Sequence, residues 1–185
     1  LAFLLLLLTF RSVAIPLMSI GLNLLSIGAA YGLLTLIFQD GHLSGLLGFS
    51  PYGGIVTWMP LFLFVLLFGL SMDYHVFIVS RIRELRLRGW ATPAAITGGI
   101  GASAGVVTSA AVIMVAVFSI FATLSVIEFK MFGVAMAAAV LIDATVVRGV
   151  LMPAAMALLG ERNWYLPRWL AWLPGGRAGA MPVSG

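Results

Sequence analysis

The stretch that decides the fold reads GLSMDYHVFIVSRIRE and runs from Gly69 to Glu84. It closes an apolar run that begins near Trp58, and it holds one carboxylate, Asp73, well inside that run. A helix needs about 20 predominantly apolar residues to cross the hydrocarbon core of a bilayer, and this run exceeds that length. Because its apolar residues are continuous rather than alternating with a period of two, the run predicts a membrane-spanning helix and not a strand of a β-barrel.

The composition of the whole chain indicates that its main solvent is lipid. Of the 185 residues, 62% are hydrophobic and 9% are charged, and the mean hydropathy is +1.15. Soluble domains carry about 25% charged residues, and disordered segments are polar and charge-rich, so the composition excludes both classes. The absence of cysteine excludes a disulfide framework, a thiolate metal site and a cysteine nucleophile.

Three further apolar runs are long enough to span the membrane as helices. With the first run, they predict spans at about residues 20–38, 58–82, 94–121 and 132–159. Residues 1–9 are apolar but too short, and we expect them to be the end of a helix that begins upstream. The predicted fold is an all-α, polytopic transmembrane helical bundle over residues 1–160. Residues 161–185 form an aromatic and basic tail, which we expect to lie at the membrane interface and to be disordered after residue 174.

Lysine and arginine are unevenly distributed between the loops. The first, third and fifth loops carry Arg11, a cluster of four arginines between Arg81 and Arg88, and the three arginines of the tail, whereas the second and fourth carry only Lys130. Cytoplasmic loops hold the excess of basic residues, so the odd-numbered loops and the C-terminus are predicted to be cytoplasmic. Basic residues confined to short loops explain the net charge of +4, and we expect no nucleic-acid partner.

The strongest candidate for chemistry is Asp73. A carboxylate in the hydrocarbon region costs at least about 2.5 kcal/mol on insertion scales, so it must face protein or a wet cavity, where desolvation favours its protonated form. Tyr74 adds a hydroxyl that can donate to the carboxylate. We predict a proton relay made by Asp73 and Tyr74, and the alternative is a structural, hydrogen-bonded aspartate. His75 is a third titratable group, classed as possible support because adjacent helical residues point about 100° apart.

The third span is rich in small residues. Four of them recur at every fourth position and predict one narrow face on which helix backbones approach closely: Thr97, Gly101, Gly105 and Ser109. Three hydroxyl groups of this span are possible support for the relay, because they can hydrogen-bond across to Asp73: those of Ser103, Thr108 and Ser109. Packing alone is the alternative.

Asp143 and Arg148 lie five residues apart in the fourth span. A long arginine side chain can reach back along a helix. Two roles are therefore possible for this pair: a structural ion pair, or support of the proton path. No motif for nucleotide, phosphate or metal binding occurs in its required structural context. We therefore expect no metal, no cofactor and no enzymatic activity, and no catalytic residue is assigned.

Several segments resemble a known family. The stretch FGLSMDYHVFIVSRIRE, from Phe68, resembles the signature helix of MMPL-type transporters in the resistance–nodulation–division (RND) superfamily. The Arg-rich loop, the small-residue helix, DATVVRGVLMPAAMALLG from Asp143 and NWYLPRWL from Asn163 follow in the order of that family. The resemblance implies the C-terminal part of a twelve-helix transporter, from the end of helix eight through helix twelve.

The resemblance also implies a function. Members of the family export lipids, glycolipids or other amphiphiles across the bacterial cytoplasmic membrane, driven by the proton-motive force. Asp73 and Tyr74 match the Asp-Tyr pair of helix ten, which interlocks in the family with a like pair on helix four. His75 departs from the acidic or polar residue expected after that pair. The implied partners are protons, membrane lipids, a lipid-like substrate and the N-terminal half of the same transporter, and a homo-oligomer is an open alternative.

Two other functions stay open from the sequence. An intramembrane aspartyl hydrolase would use Asp73 and Asp143 as two carboxylates that share a proton and activate water, although Arg148 offers Asp143 a countercharge. A non-transporting membrane scaffold or lipid sensor would keep the fold without the proton cycle.

Overall fold

The computed structural model describes residues 2–42, 44–47 and 54–165, and these residues form helices joined by short turns. The α-helices are α1 (Ala2–Phe10), α2 (Ala14–Leu34), α3 (Ser44–Leu47), α4 (Met59–Leu87), α5 (Thr92–Ala122), α6 (Ile127–Ile142) and α7 (Met152–Leu159). Two π-helical segments continue them: Thr35–Gln39 extends α2, and Asp143–Leu151 joins α6 to α7. A 3-10 turn, Gly160–Trp164, follows α7.

Within the described part of the chain, four helical stretches are long and apolar enough to cross a membrane: Ala14–Gln39, Met59–Leu87, Thr92–Ala122 and Ile127–Trp164. The predicted all-α polytopic bundle is therefore confirmed. Each stretch is longer than the span predicted from hydropathy, because the helical backbone continues through polar residues at the ends. The second helix, for example, starts at Ala14 and includes Pro16, whose missing N–H costs nothing in the first turn of a helix.

Helices α2 and α4 lie antiparallel in a fixed register. The side-chain amide of Asn23 donates to the carbonyl of Phe68 at 3.1 Å, and the hydroxyl of Tyr31 donates to the carbonyl of Pro60. Tyr31 follows Asn23 on α2 by the same number of residues by which Pro60 precedes Phe68 on α4. The two helices keep this alignment over about two turns.

Helix α5 packs against α4 and α6 through glycines. A Cβ on Gly99 would lie 2.5 Å from Cγ1 and 2.8 Å from the backbone nitrogen of Ile82 on α4. A Cβ on Gly133 of α6 would lie 2.6 Å from the backbone nitrogen of Ala122 on α5. Both glycines therefore let two helix backbones approach more closely than a larger residue would allow. Most of the opposite face of α5 is exposed.

The interior of the bundle contains two apolar layers. The first, around Ile82 and Met152, lies at the end that carries the Arg-rich loop. The second, around Phe38 and Met131, lies at the other end. A set of buried polar residues, which we call the polar layer, consists of Ser19, Asn23, Ser71, His75, Asp143 and Arg148.

The polar layer lies where the two apolar layers meet. On α4, Leu67 of the second layer precedes Ser71, whereas Met72 and Ile78 of the first layer flank His75. Buried polar groups are costly in such surroundings unless they are hydrogen-bonded or paired. The contacts made inside this layer therefore decide where the candidate site lies.

The residues after α7 turn back onto the bundle. Asn163 is fully buried, and its side-chain amide donates to the carbonyls of Met156 at 2.6 Å and Gly160 at 2.8 Å. The hydroxyl of Ser12 donates to the carbonyl of Asn163 at 2.5 Å. These bonds tie the segment after α7 to the end of that helix and to Ser12 before α2. The carbonyl of Met156 also accepts the backbone N–H of Gly160. Most of the predicted interfacial tail, from residue 166 to residue 185, lies outside the described residues.

Candidate site in the polar layer

Helix α4 distributes three adjacent residues around its axis. Asp73 is the central residue of this 29-residue helix and is exposed, Tyr74 is half-buried and His75 is fully buried. A rotation of about 100° per residue turns Asp73 and His75 to nearly opposite sides. Of the two predicted relay residues, Asp73 therefore lies on the outside of the described bundle and Tyr74 at its rim.

Asp143 and Arg148 are buried charges of opposite sign. Their side chains form an ion pair and are 11% and 5% exposed. The π-helical backbone of Asp143–Leu151 explains how residues five apart meet, because its i→i+5 repeat brings these two positions over each other. Of the two roles that the sequence left open, the structure contains the ion pair, and support of a proton path stays a prediction.

Ser71 joins this ion pair to α4. Its hydroxyl donates to Oδ1 of Asp143 at 3.1 Å, and Nη2 of Arg148 lies 3.3 Å from both the hydroxyl and the carbonyl oxygen of Ser71. A buried ion pair needs such additional hydrogen bonds to offset its desolvation. Sequence reasoning missed Ser71, and the available signal was its position one helical turn before His75.

Arg148 also contacts the predicted relay. Its guanidinium carbon lies over the ring of Tyr74, 4.5 Å from the ring centroid, which is within the range of a cation–π contact. A small cavity of about 10 Å³ is lined by Tyr74, Asp143 and Arg148 together with apolar residues of α4, α5 and the last span. Tyr74 therefore faces the buried ion pair, whereas Asp73 faces away from the described bundle.

His75 is oriented by its Nδ1 atom, which lies 3.1 Å from the carbonyl oxygen of Ser71. Because a carbonyl oxygen only accepts, Nδ1 carries a proton. The other ring nitrogen, Nε2, is buried and has no hydrogen-bond partner among the described residues. In the neutral ring this nitrogen is an acceptor that lacks a donor.

Three hydroxyl groups of α5 were predicted to support the proton relay. In the structure they form hydrogen bonds within α5 or lie on its exposed face. Ser103 donates to the carbonyl of Gly99 at 2.8 Å, and Ser109 donates to the carbonyl of Val106 at 3.1 Å. Thr108 is exposed, as is Ser109. These contacts do not involve Asp73, so the support of a relay by these hydroxyls stays a prediction.

The predicted small-residue face is exposed in the described bundle: it consists of Thr97, Gly101, Gly105 and Ser109. A Cβ built on Gly101 or Gly105 would meet no other atom within 4 Å. The close contact with α4 instead uses Gly99. A packing role for the predicted face needs a partner surface outside the described residues, and it stays a prediction.

The geometry does not suit hydrolysis by two carboxylates. That chemistry needs two aspartates that share one proton. Here Asp143 is paired with Arg148, and Asp73 is exposed on another side of α4. We therefore discard the aspartyl hydrolase that the sequence left open.

Relatives whose names describe a transport function match this chain over most of its length. The chain is 46% identical to the "Heme uptake protein MmpL11" of Mycobacterium tuberculosis, over 92% of this chain and 18% of that protein. It is 44% identical to the "Mycolic acid-containing lipids exporter MmpL11" of Mycolicibacterium smegmatis, over 91% of this chain and 18% of that protein. It is 41% identical to the "Trehalose monomycolate exporter MmpL3" of Mycobacterium tuberculosis, over 88% of this chain and 17% of that protein. The chain thus spans less than a fifth of the length of these relatives.

The family assignment rests on the sequence and agrees with the fold. The model of the MMPL family matches residues 1–172, which include all four membrane-spanning stretches. The resemblance that the sequence motifs suggested is therefore confirmed. The chain belongs to the MMPL family and is part of a multi-pass membrane protein.

Proposed function

We propose that the protein containing this chain exports lipids or other hydrophobic or amphiphilic molecules across the bacterial cytoplasmic membrane, driven by the proton-motive force. Asp73 and Tyr74 form a proton relay in this part of the transporter. The observation that carries the proposal is the position of Asp73: this carboxylate lies at the centre of a 29-residue apolar helix and is exposed on the surface of the bundle.

Exposing a carboxylate to lipid at that depth is unfavourable, since placing a charged side chain at the centre of a span costs at least about 2.5 kcal/mol. In the proposal, the face of α4 that carries Asp73 packs against the part of the transporter outside this chain. The small share of its relatives' length that the chain covers, 18% for MmpL11, leaves ample protein to cover this face. A proton relay between the two parts then lies at their interface.

Tyr74 connects the relay to the interior of the bundle. Its ring lies under the guanidinium of Arg148, which is paired with Asp143 in the last span. A change of charge on Asp73 therefore acts next to a contact that joins α4 to the last span. Moving one charge through 100 mV supplies about 2.3 kcal/mol, which shifts an equilibrium between two helix packings about fifty-fold.

The substrate class follows from what the relatives' names share. These names refer to heme, to mycolic acid-containing lipids and to trehalose monomycolate, and each of these has a large apolar part. Two of these three names describe export and one describes uptake, and we propose export for the protein that contains this chain. A non-transporting lipid sensor or scaffold is the alternative function.

The proposed orientation follows the charge distribution. The segment predicted as the Arg-rich loop is largely the end of α4: Arg81, Arg83 and Arg86 lie within the helix, and Arg88 follows it. Trp90, which follows the loop, is 46% exposed, as suits a tryptophan at the headgroup level. We place this loop and the C-terminus on the cytoplasmic side.

The test uses the full-length protein in proteoliposomes, with trehalose monomycolate and heme as probes. An imposed proton gradient should drive accumulation of at least one probe, and Asp73→Asn should abolish this accumulation while leaving the amount of folded protein unchanged. Asp40→Asn is the matched control, because Asp40 is an exposed carboxylate that follows the end of the first span.

Undiminished gradient-driven transport by Asp73→Asn would contradict the relay. Transport that proceeds equally without a gradient would contradict proton coupling. If the unaltered protein neither moves a probe nor dissipates the gradient when a probe is added, the sensor or scaffold is favoured instead.

A further inference from the structure

Besides Nε of Arg148, the polar layer has three buried polar atoms, all on α2 and α4, without a hydrogen-bond partner among the described residues. They are Oγ of Ser19, Oδ1 of Asn23 and Nε2 of His75, and all three residues are at most 1% exposed. Nearly all buried polar atoms in proteins are hydrogen-bonded to protein or to ordered water. A group of three such atoms in one layer therefore calls for a common partner.

The helix register brings these three atoms to one interface. Ser19 and Asn23 are four residues apart and share one face of α2, and the amide of Asn23 reaches the carbonyl of Phe68 on α4. His75 follows Phe68 by about two turns and lies on the same face of α4. Because α2 and α4 are antiparallel, Ser19 on α2 lies opposite a position of α4 that is about one turn beyond Phe68, in the direction of His75.

The side chains of Asn23 and His75 also bond to carbonyl groups of one turn of α4. Asn23 donates to the carbonyl of Phe68, and His75 donates from Nδ1 to the carbonyl of Ser71. These two carbonyl groups are three residues apart, about 4.5 Å along the helix axis. Both side chains therefore reach the same turn of the α4 backbone.

The hydrogen-bonding roles of the three atoms match those of water. Oδ1 of Asn23 only accepts, Nε2 of His75 accepts because Nδ1 holds the proton, and the hydroxyl of Ser19 can donate. One water molecule offers two donors and accepts from others, and buried water typically makes about three hydrogen bonds. No residue of this group supplies both missing donors.

We propose that Ser19, Asn23 and His75 together bind an internal water molecule between α2 and α4, within the polar layer. This site lies on nearly the opposite side of α4 from Asp73, and it does not depend on the proposed transport function. It makes His75 a hydrated titratable group in the interior, linked by the carbonyl of Ser71 to the residue that contacts the Asp143–Arg148 pair.

Radiolytic labelling of the full-length protein in detergent tests the site directly. Hydroxyl radicals formed from a bound water modify the side chain beside it, even where that side chain is closed to bulk solvent. We expect His75 to be modified at a rate comparable with that of the exposed His42, and Met131, which is fully buried in an apolar layer, to be modified more slowly than His75. An unmodified His75 at a dose that modifies His42 would overturn the proposal.

A double-mutant cycle separates one shared water from three independent atoms. Groups that bind one water are coupled, whereas distant independent groups are additive. We expect Ser19→Ala to lower the melting temperature of the full-length protein, and this shift should fall to about half or less in a His75→Phe background. Equal shifts in the two backgrounds would overturn the proposal.

Ser26→Ala is the matched control, because Ser26 is also buried on α2 but lies about two turns farther from His75 than Ser19 does. Its shift should be the same in both backgrounds, and the labelling of His75 should persist in this variant while it falls in Ser19→Ala. If His75→Phe does not fold, Asn23→Leu takes its place in the cycle with the same expected coupling. Persistence of full His75 labelling in Ser19→Ala and in Asn23→Leu would also count against the site.

Discussion

The guanidinium of Arg148 lies over the ring of Tyr74, 4.5 Å from the ring centroid, and the same group is paired with Asp143. One buried cation therefore joins the Asp-Tyr motif of α4 to the π-helical segment of the last span. Ser71 completes the cluster by its hydrogen bonds to both charged side chains. Each of these contacts can be tested by substituting one of its residues.

Breaking the buried ion pair should be more damaging than removing it. Arg148→Leu leaves Asp143 buried without its countercharge, and we expect a loss of about 3–5 kcal/mol in the free energy of unfolding. The double variant Asp143→Asn/Arg148→Leu leaves no unpaired charge and should recover much of that loss. The free energies are measured on the full-length protein in bicelles. A double variant that is less stable than Arg148→Leu would contradict the pairing.

The contact of Tyr74 with Arg148 should depend on the aromatic ring and not on the hydroxyl. Tyr74→Phe keeps the ring, so the free energy of unfolding should change little. Tyr74→Leu removes the cation–π contact and should cost about 1–2 kcal/mol. Arg148→Leu tests whether the loss of stability comes from the cation–π contact. In that background the two Tyr74 variants should be equally stable. A Tyr74→Phe variant that is as unstable as Tyr74→Leu would show that the hydroxyl matters more for stability.

The approach of α5 to α4 should be sensitive to one methyl group at Gly99. A Cβ there would lie 2.5 Å from Cγ1 and 2.9 Å from Cα of Ile82, and overpacking of this kind typically costs about 1–3 kcal/mol. Gly99→Ala should therefore lower the melting temperature of the full-length protein. Gly101→Ala is the matched control on the same helix, and its effect should be smaller.

The outcome at Gly101 also tests the small-residue face predicted from the sequence. If Gly101→Ala destabilises the protein as much as Gly99→Ala, the exposed face of α5 packs against protein outside this chain. If Gly99→Ala is harmless, the close approach to Ile82 is contradicted.

The end of α7 should depend on the amide of Asn163. This side chain donates to two carbonyl groups at the helix end, so Asn163→Leu removes two buried hydrogen bonds and should cost about 1–3 kcal/mol in the free energy of unfolding. Arg162→Leu, at an exposed neighbouring position, is the control and should have little effect. Equal stability of the two variants would rule out this capping role.

The sequence was sufficient for the class of fold. Apolar runs of spanning length must form helices in lipid, because no water is present to satisfy the backbone of other structures. The sequence also indicated that Asp73, Tyr74 and His75 point in different directions, since the helical rotation of about 100° per residue separates neighbours whatever surrounds them. The family followed from motifs and their order, and the family match over residues 1–172 confirmed it.

Only the tertiary structure decided which of these three residues faces the interior. The packing of the neighbouring helices against α4 buries His75 and leaves Asp73 exposed, and hydropathy along one helix does not specify its neighbours. Likewise, α5 uses Gly99 instead of Gly101 because the position of Ile82 on α4 selects that face. The meeting of Asp143 and Arg148 depends on a π-helical backbone upstream of Pro153, whose ring crowds the preceding turn. The helical periodicity thus sets the angle between neighbouring side chains. The contacts between helices that are distant in sequence decide which of these side chains faces the interior.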